Sequence, residues 1–252
     1  MSTYDNLTTV ICPTSPSPSH PDTRIIDETL RSIRHHFPSA SIFIIADGVR
    51  RELEHRRQAY ESYLDKLALT LPPRTWIYRY GSHHHQTAMM AKILPEISTP
   101  LLLWIESDLP IRIDVPTDWQ MMADAILSGH VDLCRLMLHE SVHPEHEHLY
   151  RPPLSDYPYL RPQLQYSGWV HLASTAMYRR LLGGYDQTRG LLMLERYVGG
   201  IIEAGGWDKW KLASYIPDPV AARRIYHLHN RGGVDTGADD PTFVETERYL
   251  PR

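Results

Sequence analysis

Short unbroken apolar runs alternate along this chain with longer stretches in which apolar residues recur every three or four positions, the spacing of one helix face. Leu7 to Cys12 predicts a strand stopped by Pro13, and a polar, proline-rich loop runs from Thr14 to Pro21. Ile25, Ile26, Leu30, Ile33 and Phe37 fall at helical spacing, with Pro38 closing the segment. Ser41 to Ala46 reads as a strand ending in Asp47-Gly48, and an arginine-rich helix follows from about Arg50 to Leu69. Trp76 to Tyr80 predicts a third strand, Thr87 to Ile97 a helix interrupted near Pro95, and Leu101 to Ile105 a strand apolar enough to be buried on both faces. Asp118 to Leu127 gives a helix capped by Ser128-Gly129, and Val131 to Leu138 a strand. Strands alternating with helices imply an α/β domain with a mainly parallel central sheet flanked by helices.

After residue 138 the rhythm breaks. Residues 139 to 166 are rich in His, Pro and Tyr and have no period, which predicts a long functional loop. Helices return at Thr175 to Leu182 and Leu191 to Ala204, with a late strand from Lys211 to Ile216. Residues 1–234 read as a single domain, and 235–252 as an acidic, flexible tail.

Composition narrows the function classes. A chain of 252 residues is long enough for a core without disulfide or metal staples, and its formal charge of −4 argues against indiscriminate polyanion binding. No window approaches the roughly 18 apolar residues of a membrane span, and the polar start Met1 to Leu7 predicts no leader, so a soluble, cytoplasmic protein is expected. Cys12 and Cys134 lie in apolar runs and are expected to be buried, reduced thiols. No glycine-rich dinucleotide fingerprint or phosphate loop occurs.

The candidate chemistry lies where strands end, because in open α/β sheets ligands gather beyond the carboxyl ends of the strands. Asp47 is one such residue, and is expected to accept hydrogen bonds from a nucleobase or ribose or to form a turn with Gly48. Glu106-Ser107-Asp108 is the stronger signal. In an extended segment residues two apart share a side, so both carboxylates would face one ligand. Mg²⁺ or Mn²⁺ suits them, since such ions take one or two carboxylates and complete their shell with phosphate oxygens and water.

The order of a strand, Pro13-Thr14-Ser15, a helix, a strand with Asp47 and an apolar strand ending in Glu106-Ser107-Asp108 resembles the GT-A fold glycosyltransferases, especially family 2-like enzymes. The resemblance implies a nucleotide-diphosphate sugar donor, a UDP-sugar in preference, held by Pro13, Thr14, Ser15, Asp47, Glu106 and Asp108. It further implies a metal ion on Asp108, aided by a late ligand, His227 or His229. Glu stands where relatives carry Asp at the first position of this motif, which leaves Asp108 as the firmer ligand. Glu195, at the start of the helix from Leu191, occupies the place of the general base, although relatives often have an acidic pair where Arg196 follows here. Transfer to an acceptor hydroxyl with inversion is the expected reaction. The layout is also similar to small glycosyltransferases of bacteriophages and actinobacteria, some of which modify hydroxymethylated pyrimidines in DNA; the acceptor expected is such a pyrimidine, or otherwise a carbohydrate or small molecule. On that expectation Arg161, Trp169 and His171 face the acceptor, and Arg161, Arg179 and Arg180 meet a DNA backbone.

Two rivals remain. His139-Glu140-Ser141-Val142-His143 matches the zinc-protease pattern, but needs both histidines one turn apart on a helix, which Pro144 opposes. A nucleotide-sugar-binding module that lost its chemistry is the other.

Overall fold

The computed structural model describes residues 4–163, 165–186, 192–207, 209–217 and 221–228. The tail from 235, together with Leu191 and His229, lies outside the described residues. The strands are β1 (Thr8–Thr14), β2 (Ser41–Ala46), β3 (Thr75–Arg79), β4 (Leu101–Trp104), β5 (Leu133–Arg135), β6 (Leu160–Gln163), β7 (His171–Ser174) and β8 (Leu212–Tyr215). They form one sheet in the order β3-β2-β1-β4-β7-β5-β8-β6. β3, β2, β1 and β4 are mutually parallel, and β7 enters antiparallel between β4 and β5.

Alternation along the strands divides the core. Val10, Cys12, Ile42, Ile44, Leu101 and Leu103 point to a face covered by α1 (Arg24–His36), α2 (Arg57–Thr70) and α4 (Trp119–Leu127). Ile11, Ile45, Leu102, Trp104 and Leu133 point to the other face, covered by α3 (His85–Ile93), α5 (Thr175–Leu182) and α6 (Leu194–Gly205). The architecture is thus the α/β one, a largely parallel sheet flanked by helices, that the sequence predicts. Cys12 and Cys134 are free and buried, and burial pushes both thiols well above their ordinary pKa.

Several boundaries differ from expectation for local reasons. β1 does not stop at Pro13. It runs on to Thr14, paired with β2 as far as Ala46, and Pro13, which has no N–H to give, lies beyond the last residue paired with β4. Residues 51–56 form a 3-10 turn before α2 rather than its first turns. The strand expected over Val131 to Leu138 is confined to Leu133–Arg135. The expected loop 139–166 contains a 3-10 turn, Pro144–Leu149, and β6, an edge strand that tolerates Pro162.

Candidate functional site

β2 and β3 lie on one side of β1 and β4 on the other, so the strand order reverses between β1 and β4. At such a reversal the connections leave in opposite directions and open a crevice above the strand ends. Here it is a cleft of about 260 Å³, lined by Pro13, Thr14 and Ser15 after β1, Asp47 and Gly48 after β2, and Glu106, Ser107 and Asp108 after β4. Arg50, His83, His85 and Gln86 supply further polar lining. The Thr14 hydroxyl is within 3.1 Å of the Tyr63 hydroxyl, which leaves Ser15 as the exposed hydroxyl of the three.

Asp47 lines the cleft, but its carboxylate is already engaged. Oδ1 accepts from the N–H of Gly48 at 2.8 Å and of His84 at 2.7 Å, while Oδ2 accepts from the His85 N–H at 3.0 Å and faces His83 Nδ1 at 2.8 Å. Three backbone N–H groups thus donate to the carboxylate, with the His83 imidazole beside it. Asp47 thus ties the loop before α3 to the end of β2, and so sets His83 and His85 on the cleft wall beside it.

Glu106 and Asp108 both reach the cleft, though not by sharing one side of a strand. The Leu109 N–H donates to the Glu106 carbonyl at 3.1 Å, so the chain turns at 106–109. Gln86 Nε2 donates to Glu106 Oε1 at 2.9 Å. Burial, and then the charge of Asp108, push the Glu106 pKa upward, against the Gln86 hydrogen bond and the pull of His227.

The chain returns to this turn near its far end. Arg112 N–H donates to Arg224 O at 2.8 Å, Tyr226 N–H to Pro110 O at 3.0 Å and Leu228 N–H to Asp108 O at 2.7 Å. This antiparallel pairing brings His227 Nε2 to 3.4 Å from Asp108 Oδ2. Among the described residues no group of three or more His, Cys, Asp or Glu is placed to hold a metal ion. Asp108 lines the cleft, and its carboxylate with the His227 imidazole beside it could hold a divalent cation that takes its remaining ligands from a diphosphate and water.

Glu195 lies in the first turn of α6, exposed, where its Oε1 accepts the Gly168 N–H at 3.2 Å. Gly168 also borders Glu106, since a Cβ on it would lie 3.6 Å from Glu106 Oε1. Gly168 thus separates the two acids.

The three residues expected at the acceptor fare differently. Trp169 follows Gly168 and lies under the guanidinium of Arg135, 5.1 Å from its ring centroid. His171 differs from expectation: it is fully buried, bonded to Trp169 O and to the Tyr178 hydroxyl, and has no surface to offer. Arg161 is on the edge strand β6 and pairs with Glu147 at 2.6 Å. Arg180 pairs with Asp132 at 2.8 Å and Arg179 donates to Ile97 O at 2.6 Å, so the arginines expected to meet DNA already have partners within the chain.

The zinc-protease pattern has no helix. Residues 139–143 are bends and coil, and His143 has an extended backbone before Pro144. Gln86, Gly168 and Arg135 escaped the sequence reading. Arg135 carried a usable signal, a charge at the end of a buried strand, the same signal that exposed Glu106.

No protein-family model matches the chain, and no curated protein matches it in sequence. Solved structures resemble it in fold. A crystal structure of S. aureus TarS 1-349 superposes with a TM-score of 0.54 at 13% identity over 88% of this chain and 60% of that one. A mannosyltransferase of Pyrobaculum calidifontis, in complex with GDP-Man and Mn²⁺, superposes with a TM-score of 0.51 at 12% identity over 85% of this chain and 56% of that one. A UDP-glucose pyrophosphorylase complexed with UDP-glucose gives 0.50 at 9% identity over 86% of this chain and 92% of that one. At these identities the likeness is one of fold. No helix among the described residues is long and apolar enough to cross a membrane.

Proposed function

We propose that the chain is a metal-dependent glycosyltransferase that moves a sugar from a nucleoside-diphosphate donor, a UDP-sugar in preference, to an acceptor hydroxyl. The observation that carries the reading is the approach of His227 to Asp108 at the strand-order reversal, 3.4 Å apart. The mannosyltransferase and pyrophosphorylase that share the fold were solved with nucleotide sugars, which supports the same ligand class here.

In this reading the nucleotide lies against Pro13 and Ser15, with Arg50, His83 and His85 offering positive or donor groups to its phosphates. Asp108 and His227 would hold the cation, and the imidazole favours Mn²⁺ over the oxygen-seeking Mg²⁺. A bound divalent cation would neutralise charge on the departing diphosphate. Glu195 takes the proton of the acceptor hydroxyl as its oxygen bonds to the anomeric carbon, and the bond from that carbon to the diphosphate oxygen breaks with its electron pair leaving on the nucleoside diphosphate. With the base across Gly168 from the diphosphate side, attack from the face opposite the leaving group inverts the anomeric centre. DNA is not carried into the proposal, because the arginines that would meet it are bonded within the protein.

The test is a panel of nucleotide sugars with Mn²⁺, reading UDP or GDP release together with nucleotide binding. Asp108→Ala is expected to abolish release and the metal-dependent part of binding. Glu195→Gln is expected to keep nucleotide binding and lose turnover by about 100-fold or more. Nucleotide binding indifferent both to Mn²⁺ and to Asp108→Ala would sink the reading, and tight binding without any turnover would leave the binding module in its place.

A further inference from the structure

Arg135 ends β5, and its side chain points to the face covered by α6, in the strand parity of Leu133. Only 6% of the residue is exposed. Its Nη2 donates to the Tyr150 hydroxyl at 2.8 Å and to Ser214 Oγ at 3.2 Å. Its Nε is buried without a hydrogen-bond partner among the described residues. The guanidinium makes no ion pair there either, and the carboxylate whose charge acts on it is Glu195.

Arg34 likewise buries its Nε without a hydrogen-bond partner among the described residues, so Arg135 is set apart only by where its terminal nitrogens go. Arg34 spends its donors on the carbonyls of Phe37, Ala40 and Pro73, Arg224 on those of Ala221 and Arg223, and Arg161 meets the carboxylate of Glu147. A guanidinium stays charged in a protein, and a buried charge without a partner is costly. At Arg135 the cost is left standing in a position that is carefully built. Arg161 packs over the Tyr150 ring, 5.1 Å from its centroid, and so fixes the hydroxyl that holds Arg135 Nη2. Trp169 lies 5.1 Å from the guanidinium carbon and supplies a flat wall. That tryptophan adjoins Gly168, whose N–H is bonded to Glu195.

We propose that Arg135, with Trp169 beside it, is an acceptor subsite for an anionic group, a phosphate or carboxylate carried by the acceptor. The inference rests on the glycosyltransferase reading for the word acceptor, and on Arg135 alone for the anion. The guanidinium fork matches either oxyanion in two-point contact. An acceptor anchored there reaches Glu195 with a neighbouring hydroxyl, and the anion supplies the counter-charge that the fold withholds. Arg161 then serves the acceptor from behind, through Tyr150.

The experiment uses the full chain, free and saturated with UDP and Mg²⁺, and follows the Trp169 indole N–H resonance, assigned with Trp169→Phe, during titration with inorganic phosphate and, separately, acetate. A saturable shift is expected in both forms of the protein. The tighter of the two anions tells a phosphorylated from a carboxylated acceptor. Arg135→Gln is expected to weaken that anion at least tenfold with UDP affinity unchanged, and Arg135→Lys to weaken it less. No saturable shift with either anion in the wild-type protein overturns the proposal whatever the variants do, as does equal affinity in a folded Arg135→Gln protein. Failure to bind UDP would instead count against the glycosyltransferase reading, and the titration of the free protein still decides the subsite.

Discussion

His171 shows what a polar residue does inside this fold. Its Nδ1–H donates to Trp169 O at 2.6 Å, so Nε2 is left as an acceptor for the Tyr178 hydroxyl at 2.5 Å, and the Tyr166 hydroxyl completes the chain 2.8 Å from that of Tyr178. The assignment of the ring protons follows from these partners, and a second proton would face a donor. Burial accordingly lowers the pKa of His171 to about 4, and burial lowers that of His20, stacked on Tyr63, to about 4 as well. A base with a depressed folded pKa binds fewer protons folded than unfolded, so stability is intact above the ordinary value of 6.5 and declines as the pH falls toward 4. Each residue is expected to cost at most roughly 3 kcal/mol at the acid end. Urea unfolding between pH 7.5 and 4 checks this. His171→Gln is expected to lower stability at neutral pH and to flatten the acid decline, and an unchanged decline would refute the assignment to His171.

Among the elements, the junction of β2 with the loop before α3 is the closest-fitted. A Cβ on Gly48 would lie 2.2 Å from the carbonyl carbon of Ser82, 2.4 Å from its oxygen and 2.6 Å from the His83 nitrogen, all backbone atoms that cannot swing aside. Gly48→Ala must therefore shift the 82–85 backbone, cost about 1–3 kcal/mol in stability, and strip Asp47 of its donors. Nucleotide affinity is expected to fall several-fold as His83 and His85 leave the cleft wall, and a calorimetric titration showing full affinity would show that this wall does not bind the donor. Asp47-Gly48 was legible in the sequence as a strand end, but its partner was not, because a contact with a backbone thirty-odd residues away leaves no local pattern. The same holds for β6 and β7. Leu-Arg-Pro-Gln and His-Leu-Ala-Ser are short and half polar, and they are strands because Gln163 and His171 are enclosed by the folded chain. Periodicity registers apolar burial and misses polar burial. It therefore found β1 to β4, whose ends line the cleft, and missed β6, β7 and the buried Arg135.

At the scale of the molecule, the site is closed by segments from distant parts of the chain, 108–112 and 223–228, held together by backbone bonds and by the approach of His227 to Asp108. Glu106, Asp108 and Glu195 gather there, and the charges of Asp108 and Glu195 both raise the pKa of Glu106. The ligand-free fold thus carries mutual repulsion among its acids that a divalent cation would relieve. Removing one of those charges should separate stability from function. Asp108→Asn keeps the size of the side chain, and is expected to raise the stability of the ligand-free protein by on the order of 1 kcal/mol, in the manner of sites whose function is held at a cost to the fold. Wild-type protein is expected to gain about 2.7 kcal/mol when UDP and Mn²⁺ are present at 100 times the dissociation constant, and the metal should add more with UDP bound than alone, because each supplies ligands or charge that the other lacks. Thermal unfolding with neither, either and both ligands measures the coupling. In Asp108→Asn the starting midpoint should be higher and the joint gain smaller. Strictly additive shifts in the wild type, or a variant that is less stable without ligand yet fully responsive to Mn²⁺, would mean that the acids are not held together for a cation.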